Sequence, residues 1–136
     1  MKVTVDANIL FSALLRKGVT RKIWFLPEIE LFAPEFLLIE FIKYKLFLQK
    51  KFNGTEGEFK LLSQKLLSQV QFISDYQLKP FLPAAASLSS DSKDWLYFAC
   101  ALMEDTIIWS NDKGFKAQNR IRIFTIDEIK EELGML

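Results

Sequence analysis

The chain contains no histidine. That removes Ser-His-Asp and Cys-His catalysis, imidazole general bases and histidine-ligated metals. It contains one cysteine, Cys100. Neither an intrachain disulfide nor a four-cysteine zinc site can form. Cys100 lies inside the apolar run Trp95 to Met103 and reads as a small core residue rather than a nucleophile. That run is also the longest apolar one, well short of the ~20 residues that cross a bilayer. Near the N-terminus, Asp6 interrupts the apolar stretch before a signal-peptide core can begin. No membrane segment is expected, and with so little cysteine the expected compartment is the cytoplasm. An excess of one charge is missing too: 18 basic and 17 acidic residues leave a net charge of +1. Half the chain is apolar, which excludes disorder. At about 150 residues per domain, residues 1–136 make a single domain. Such a chain buries about two thirds of its unfolded surface. What remains is carboxylate chemistry, assisted by Ser, Thr, Lys, Arg and Asn. Any metal should be a hard ion that prefers oxygen.

Periodicity predicts the elements. Lys2 to Val5 is a short buried strand ending at Asp6. Ala7 to Leu15 is a helix, with Arg16-Lys17-Gly18 as a glycine stop. A short helix covers Thr20 to Phe25, and a strand covers Glu30 to Ala33. Pro34 and Glu35 suit the first turn of a helix that runs to about Lys51. After the Asn53-Gly54 break come a helix over Glu58 to Val70 and a short strand over Gln71 to Ile73. Lys79 to Ser90, with Pro80 and Pro83, reads as loop with at most one short helix. A helix follows from Asp91 to Met103. Thr106 to Trp109 and Arg122 to Thr125 are strands, and Ile126 to Leu133 is a closing helix stopped by Gly134. Short apolar strands joined by helices imply an α/β fold, a mostly parallel central sheet with helices on both faces.

In such sheets, active sites form where strands run into the following loops. Asp6 closes the first strand. Asp112 follows the Thr106 to Trp109 strand. Asp94 sits at a helix start, and Glu40 lies in the apolar stretch Phe36 to Ile42. Each has a structural reading as well. Asp6 can cap the next helix. Asp91 and Asp94 resemble a cap and its third-position acid. Asp112 suits the turn Asn111-Asp112-Lys113-Gly114. Glu40, expected among apolar neighbours, is costly to bury unless paired or metal-bound.

Taken together, converging carboxylates repel one another and raise each other's pKa unless a cation joins them. Mg2+ or Mn2+ resolves that and can activate water and orient a phosphate. The chemistry points to phosphodiester hydrolysis. Two acid-free basic stretches flank the proposed acids. One holds Lys43, Lys45, Lys50 and Lys51; the other holds Lys113, Lys116, Arg120 and Arg122. Lys113, beside Asp112, is a candidate substrate-binding residue. Such patches around an acidic centre suit a polyanion, although charge runs are also simply solvated faces.

Four segments resemble the motifs of the PIN-domain nucleases, including the toxin-like ribonucleases of the VapC type. They are Val3-Thr4-Val5-Asp6-Ala7-Asn8, Glu40 in its helix, Asp94 with the run to Leu102, and Ser110-Asn111-Asp112-Lys113-Gly114-Phe115. The resemblance implies a three-layer α/β/α fold. It also implies metal-dependent cleavage of single-stranded RNA by water attack, with Asp6, Glu40, Asp94 and Asp112 as metal-binding catalytic acids. Asn8 and Ser110 would hold those acids by hydrogen bonds. It further implies a homodimer and an antitoxin partner, and Asp91 is read as a cap. The family also has catalytically silent members, so a module that binds RNA or a partner without cutting is the alternative. A phosphoacceptor receiver domain would need paired acids after the first strand and a strand–Asp junction in mid-chain, and neither is present. A flap nuclease would need room for an extra helical arch.

Overall fold

The computed structural model describes residues 1–135. Five strands form one parallel sheet: β1 (Lys2–Val5), β2 (Glu30–Pro34), β3 (Val70–Ile73), β4 (Ile107–Trp109) and β5 (Ile123–Phe124). Their spatial order is β3-β2-β1-β4-β5. Val3 and Val5 are fully buried, as suits a central strand covered on both faces. The helices are α1 (Ala7–Leu15), α2 (Val19–Trp24), α3 (Phe36–Lys51), α4 (Glu56–Ser68), α5 (Asp75–Leu78), α6 (Leu82–Ala86), α7 (Trp95–Glu104) and α8 (Ile126–Glu132). One layer packs α1 against α2, α3 and α4. The other packs α7 on β1 and β2, with α5 and α6 against α7. This is the three-layer α/β/α architecture. Among the described residues no helix is long and apolar enough to cross a membrane.

The topology selects where a site can form. The chain builds β1, β2 and β3 outward on one side, then returns to lay β4 and β5 on the other side of β1. The switch point lies between the carboxyl ends of β1 and β4, where such sheets open a crevice. Asp6 follows β1 and its N–H donates to Trp109 O at 3.3 Å, while Ser110 and Asp112 follow β4. The α7 N-terminus brings Asp94 to the same edge.

Several boundaries depart from the sequence expectations. Pro34 ends β2, paired with Ile73, rather than opening the helix; the Glu35 N–H takes up the next bond, to Ile73 O. A proline is tolerated there because the ladder needs no further donor from it. Helix α4 starts at Glu56 because Thr55 and Glu58 form a capping box, and Val70 is released to β3. The stretch read as loop is mostly helical. Within it Pro80 and Pro83 occupy first-turn positions of a 3-10 turn and α6, and just before it Ser74 and Gln77 form a second capping box that starts α5. Asp91 to Asp94 is not yet α-helix; a 3-10 turn over Ser92–Asp94 precedes α7. Gly18 is extended and leads into α2, so it is not a left-handed stop.

The end of α1 is closed instead by Arg21. Its guanidinium donates to Ala13 O at 2.7 Å and Leu14 O at 3.0 Å, carbonyls that have no partner within the helix. Arg21→Ala should cost ~1–3 kcal/mol in urea unfolding. A loss near zero would mean water replaces both bonds.

Candidate active site

A cavity of about 160 Å³ opens at the switch point, lined by Asp6, Asn8, Glu40, Asp91, Lys93, Asp94, Tyr97, Asp112 and Phe115 among others. All four predicted acids therefore meet in one cleft. They come from four separate places: the end of β1, the second turn of α3, the start of α7 and the loop after β4.

Asp6 is the buried member, 4% exposed. Its Oδ1 accepts from Ile9 N–H at 3.0 Å, so it caps α1, and its Oδ2 accepts from the Ser110 hydroxyl. Burial still dominates and pushes its carboxyl up to about 6, with Asp112 and Glu40 adding like-charge repulsion. The capping and site readings thus coexist in one residue. Asp94 is also raised, first by burial and then by the charges of Asp91, Asp112 and Glu40, against a hydrogen bond from Ser89. That bond, at 3.1 Å, fixes the Asp94 carboxylate, which caps nothing. Asp112 caps the turn over Lys113–Ala117 by accepting from Gly114 N–H at 2.9 Å.

Ser110 is a buried junction. It donates to Asp6 and accepts from Asp112 N–H at 3.0 Å. Ser110→Ala removes the bond that most favours the Asp6 carboxylate. The expected loss is ~1–3 kcal/mol at pH 8, where Asp6 is charged. At pH 5, where Asp6 is protonated, the loss should shrink; equal losses in urea at both values would contradict this electrostatic role.

Glu40 departs from expectation. It is half-buried, not embedded, because its neighbours Ile39 and Ile42 point to solvent. The penalty for a lone buried carboxylate therefore does not apply to it, and Glu40→Gln has no such charge to relieve. Its partner is Tyr97, whose hydroxyl donates to Glu40 Oε1 at 2.7 Å. Burial and that contact hold the Tyr97 phenol protonated far above its ordinary range. Tyr97 was not anticipated from sequence, although its place one helical turn after Asp94 sets it on the same side of α7. Phe36 and Phe115 pack on its ring at 6.3 and 6.4 Å.

Asn8 lies on the cavity wall, exposed, with no hydrogen bond to an acid among the described residues. Lys113 is exposed and lies outside the lining; the lysine in the cleft is Lys93. Asp91 both lines the cleft and accepts from Lys93 N–H at 3.0 Å. Cys100 is fully buried, with its thiol pushed up to about 12 by burial.

The donor set is anionic and all oxygen, the chemistry of a hard divalent cation. No described lysine or arginine forms a salt bridge with any of the four acids. As placed, no three acids among the described residues are gathered closely enough to grip one ion. The fit is therefore one of charge and donor type.

Residues 4–134 match the family model of the PIN domain. The chain belongs to the PIN domain family. No functionally curated protein matches it. This PIN domain is similar in structure to VapBC2 from Rickettsia felis, solved bound to a DNA fragment from its promoter. The TM-score is 0.69 and the identity 14%, over 92% of this chain and 98% of that one. A toxin–antitoxin complex from Klebsiella pneumoniae gives 0.66 and 12%, over 91% and 97%. FitAcB from Neisseria gonorrhoeae gives 0.60 and 14%, over 91% and 97%. At such identities the likeness concerns the fold.

Proposed function

We propose that this PIN domain is a Mg2+- or Mn2+-dependent endoribonuclease that hydrolyses phosphodiester bonds in single-stranded RNA. One observation carries the reading: four acids share a cleft in which no described cation forms a salt bridge with them. Asp6, Glu40, Asp94 and Asp112 would hold the ion, which supplies charge neutralisation and activation of water for attack on phosphorus. The protein's own groups do the positioning. Ser110 holds Asp6 and the Asp112 loop in register, Tyr97 orients Glu40, and Ser89 orients Asp94. Lys93 offers a cation to a substrate phosphate, a role that sequence reading gave to Lys113. Tyr97 and Phe115 keep one wall of the cleft apolar.

The structural likeness to a toxin–antitoxin complex from Klebsiella pneumoniae supports an antitoxin protein as partner. The same reading includes a cytoplasmic homodimer. A second reading, a silent module that binds RNA without cutting, is favoured by the absence of a tight three-acid cage among the described residues. Labelled single-stranded RNA distinguishes them. Cleavage with Mn2+ that stops in EDTA supports the nuclease. RNA binding without cleavage supports the silent module, and neither binding nor cleavage contradicts both.

A further inference from the structure

The segment between β4 and β5 carries four cations, Lys113, Lys116, Arg120 and Arg122, and the next acid after Asp112 is Asp127. The two strands are parallel, so the segment leaves the cleft end of the sheet at Asp112 and returns to the opposite end. There Ile108 N–H donates to Arg122 O at 2.9 Å. One side chain braces the return. Gln118 Nε2 donates to Phe115 O at 3.0 Å and to Ile121 O at 2.9 Å, and its Oε1 accepts from Arg120 N–H and Ile121 N–H, each at 2.8 Å. Lys116 is tied to Glu128 on α8 by a salt bridge. Lys113, Arg120 and Arg122 are exposed, with no salt bridge among the described residues. Arg122 Cζ lies 4.8 Å from the centre of the Phe124 ring. That contact steadies the guanidinium and leaves N–H donors for another partner. At this end of the sheet a hollow of about 410 Å³ gathers Arg120 and Arg122 with Lys2, against Asp105 as the one acid in its lining. Lys2 is itself engaged, donating to Glu104 O at 2.8 Å.

We propose that this braced loop, with Arg120 and Arg122 at its far end, binds the phosphates of a single-stranded RNA outside the cleft and so holds the strand that flanks the bond to be cut. The inference rests on the reading of RNA as the ligand. The cleft itself grips a phosphate chain poorly, because its lining holds five carboxylates and one cation, Lys93. The loop begins at Asp112 in that cleft and is cationic from Lys113 onward, so it continues the path of a bound strand. The chemistry of the loop favours a phosphate backbone over an acidic protein segment. Protein partners gain most of their affinity from buried apolar or aromatic anchors. None of the exposed large hydrophobic residues lies between Thr106 and Ile126. Arginine forks held in place by packing and by a braced backbone are suited to phosphate oxygens. Contacts of this kind position a strand without reading its bases. Binding here is therefore expected to be independent of base sequence.

The test is fluorescence anisotropy of a labelled single-stranded RNA of about 16 nucleotides, titrated with the whole protein in EDTA over a series of salt concentrations. Wild type should bind. Arg120→Gln/Arg122→Gln should bind at least about fivefold more weakly, and the slope of log affinity against log salt should fall by about 1.4, or about 0.7 for each lost phosphate contact. A control pair on α4, Lys60→Gln/Lys65→Gln, removes the same charge elsewhere and should change neither quantity. If circular dichroism shows that the arginine pair is unfolded, Arg120→Gln alone provides the comparison, with a slope change of about 0.7. Equal affinity and slope in wild type and variant overturn the proposal, as does the same loss in the control pair. A glutamate peptide that binds wild type as tightly as RNA, and is lost in the arginine variant, would assign the loop to an acidic protein and also overturn it. Wild type that binds no RNA overturns both this track and the RNA reading. Cleavage is not read in any arm, so the loop and the nuclease site can fail separately.

Discussion

Asp6→Asn should lower metal-dependent RNA cleavage at least about a hundredfold, the size usual for losing a group that stabilises transition-state charge, yet leave the metal-free protein folded and somewhat more stable at pH 8. Burial of the Asp6 carboxyl sets both effects. The folded carboxyl titrates near 6 against an ordinary 3.8, so the native state holds this proton more tightly than the unfolded chain. The stability from protonated Asp6 is complete below about pH 4 and is lost as pH rises through 6. Above that, its charge costs the native state about 3 kcal/mol. An amide removes the charge but cannot accept from both Ser110 and Ile9 N–H, a loss of ~1 kcal/mol. The net expected gain is ~1–2 kcal/mol at pH 8, fading below about pH 4. Urea unfolding across that range measures it. A variant less stable than wild type at pH 8 would show that the hydrogen bonds outweigh the desolvation.

The second large effect is on metal affinity against pH. An ion binds carboxylates, not carboxylic acids, so protons compete with it. Asp6 titrates near 6 and Asp94 is shifted in the same direction. Mn2+ affinity should be flat above about pH 7. By pH 5 it should fall at least about tenfold from Asp6 alone, with Asp94 steepening the decline. The thermal stabilisation by Mn2+ should fade over the same interval. A pH-independent affinity between 5 and 8 would place the metal on acids other than these.

Much of this was legible in the residues. The strand–Asp junction at Val5-Asp6 and the Ser110 to Asp112 loop locate themselves, because short apolar strands end sharply at polar residues. Parallel order then brings both junctions to one crevice. Other features depend on packing that a linear reading lacks. Glu40 sits among apolar letters, yet Ile39 and Ile42 face water, because α3 presents only part of its circumference to the core. The Lys79 to Ser90 segment carries prolines that signal breaks, but they fall at helix starts, where a missing N–H costs nothing. Lys113 and Lys93 each adjoin an acid in sequence; only the tertiary path shows that Lys93 lines the cleft. Tyr97 is core at its ring and a cleft residue at its hydroxyl, a division that the sequence alone does not mark.

Whether Asp6, Glu40, Asp94 and Asp112 form one cation site is decided by calorimetric titration of Mn2+ at pH 7.5 into wild type and Asp6→Asn. Wild type should bind in the micromolar-to-millimolar range, and the variant should lose that binding. No binding by wild type, or equal binding by both proteins, would contradict it.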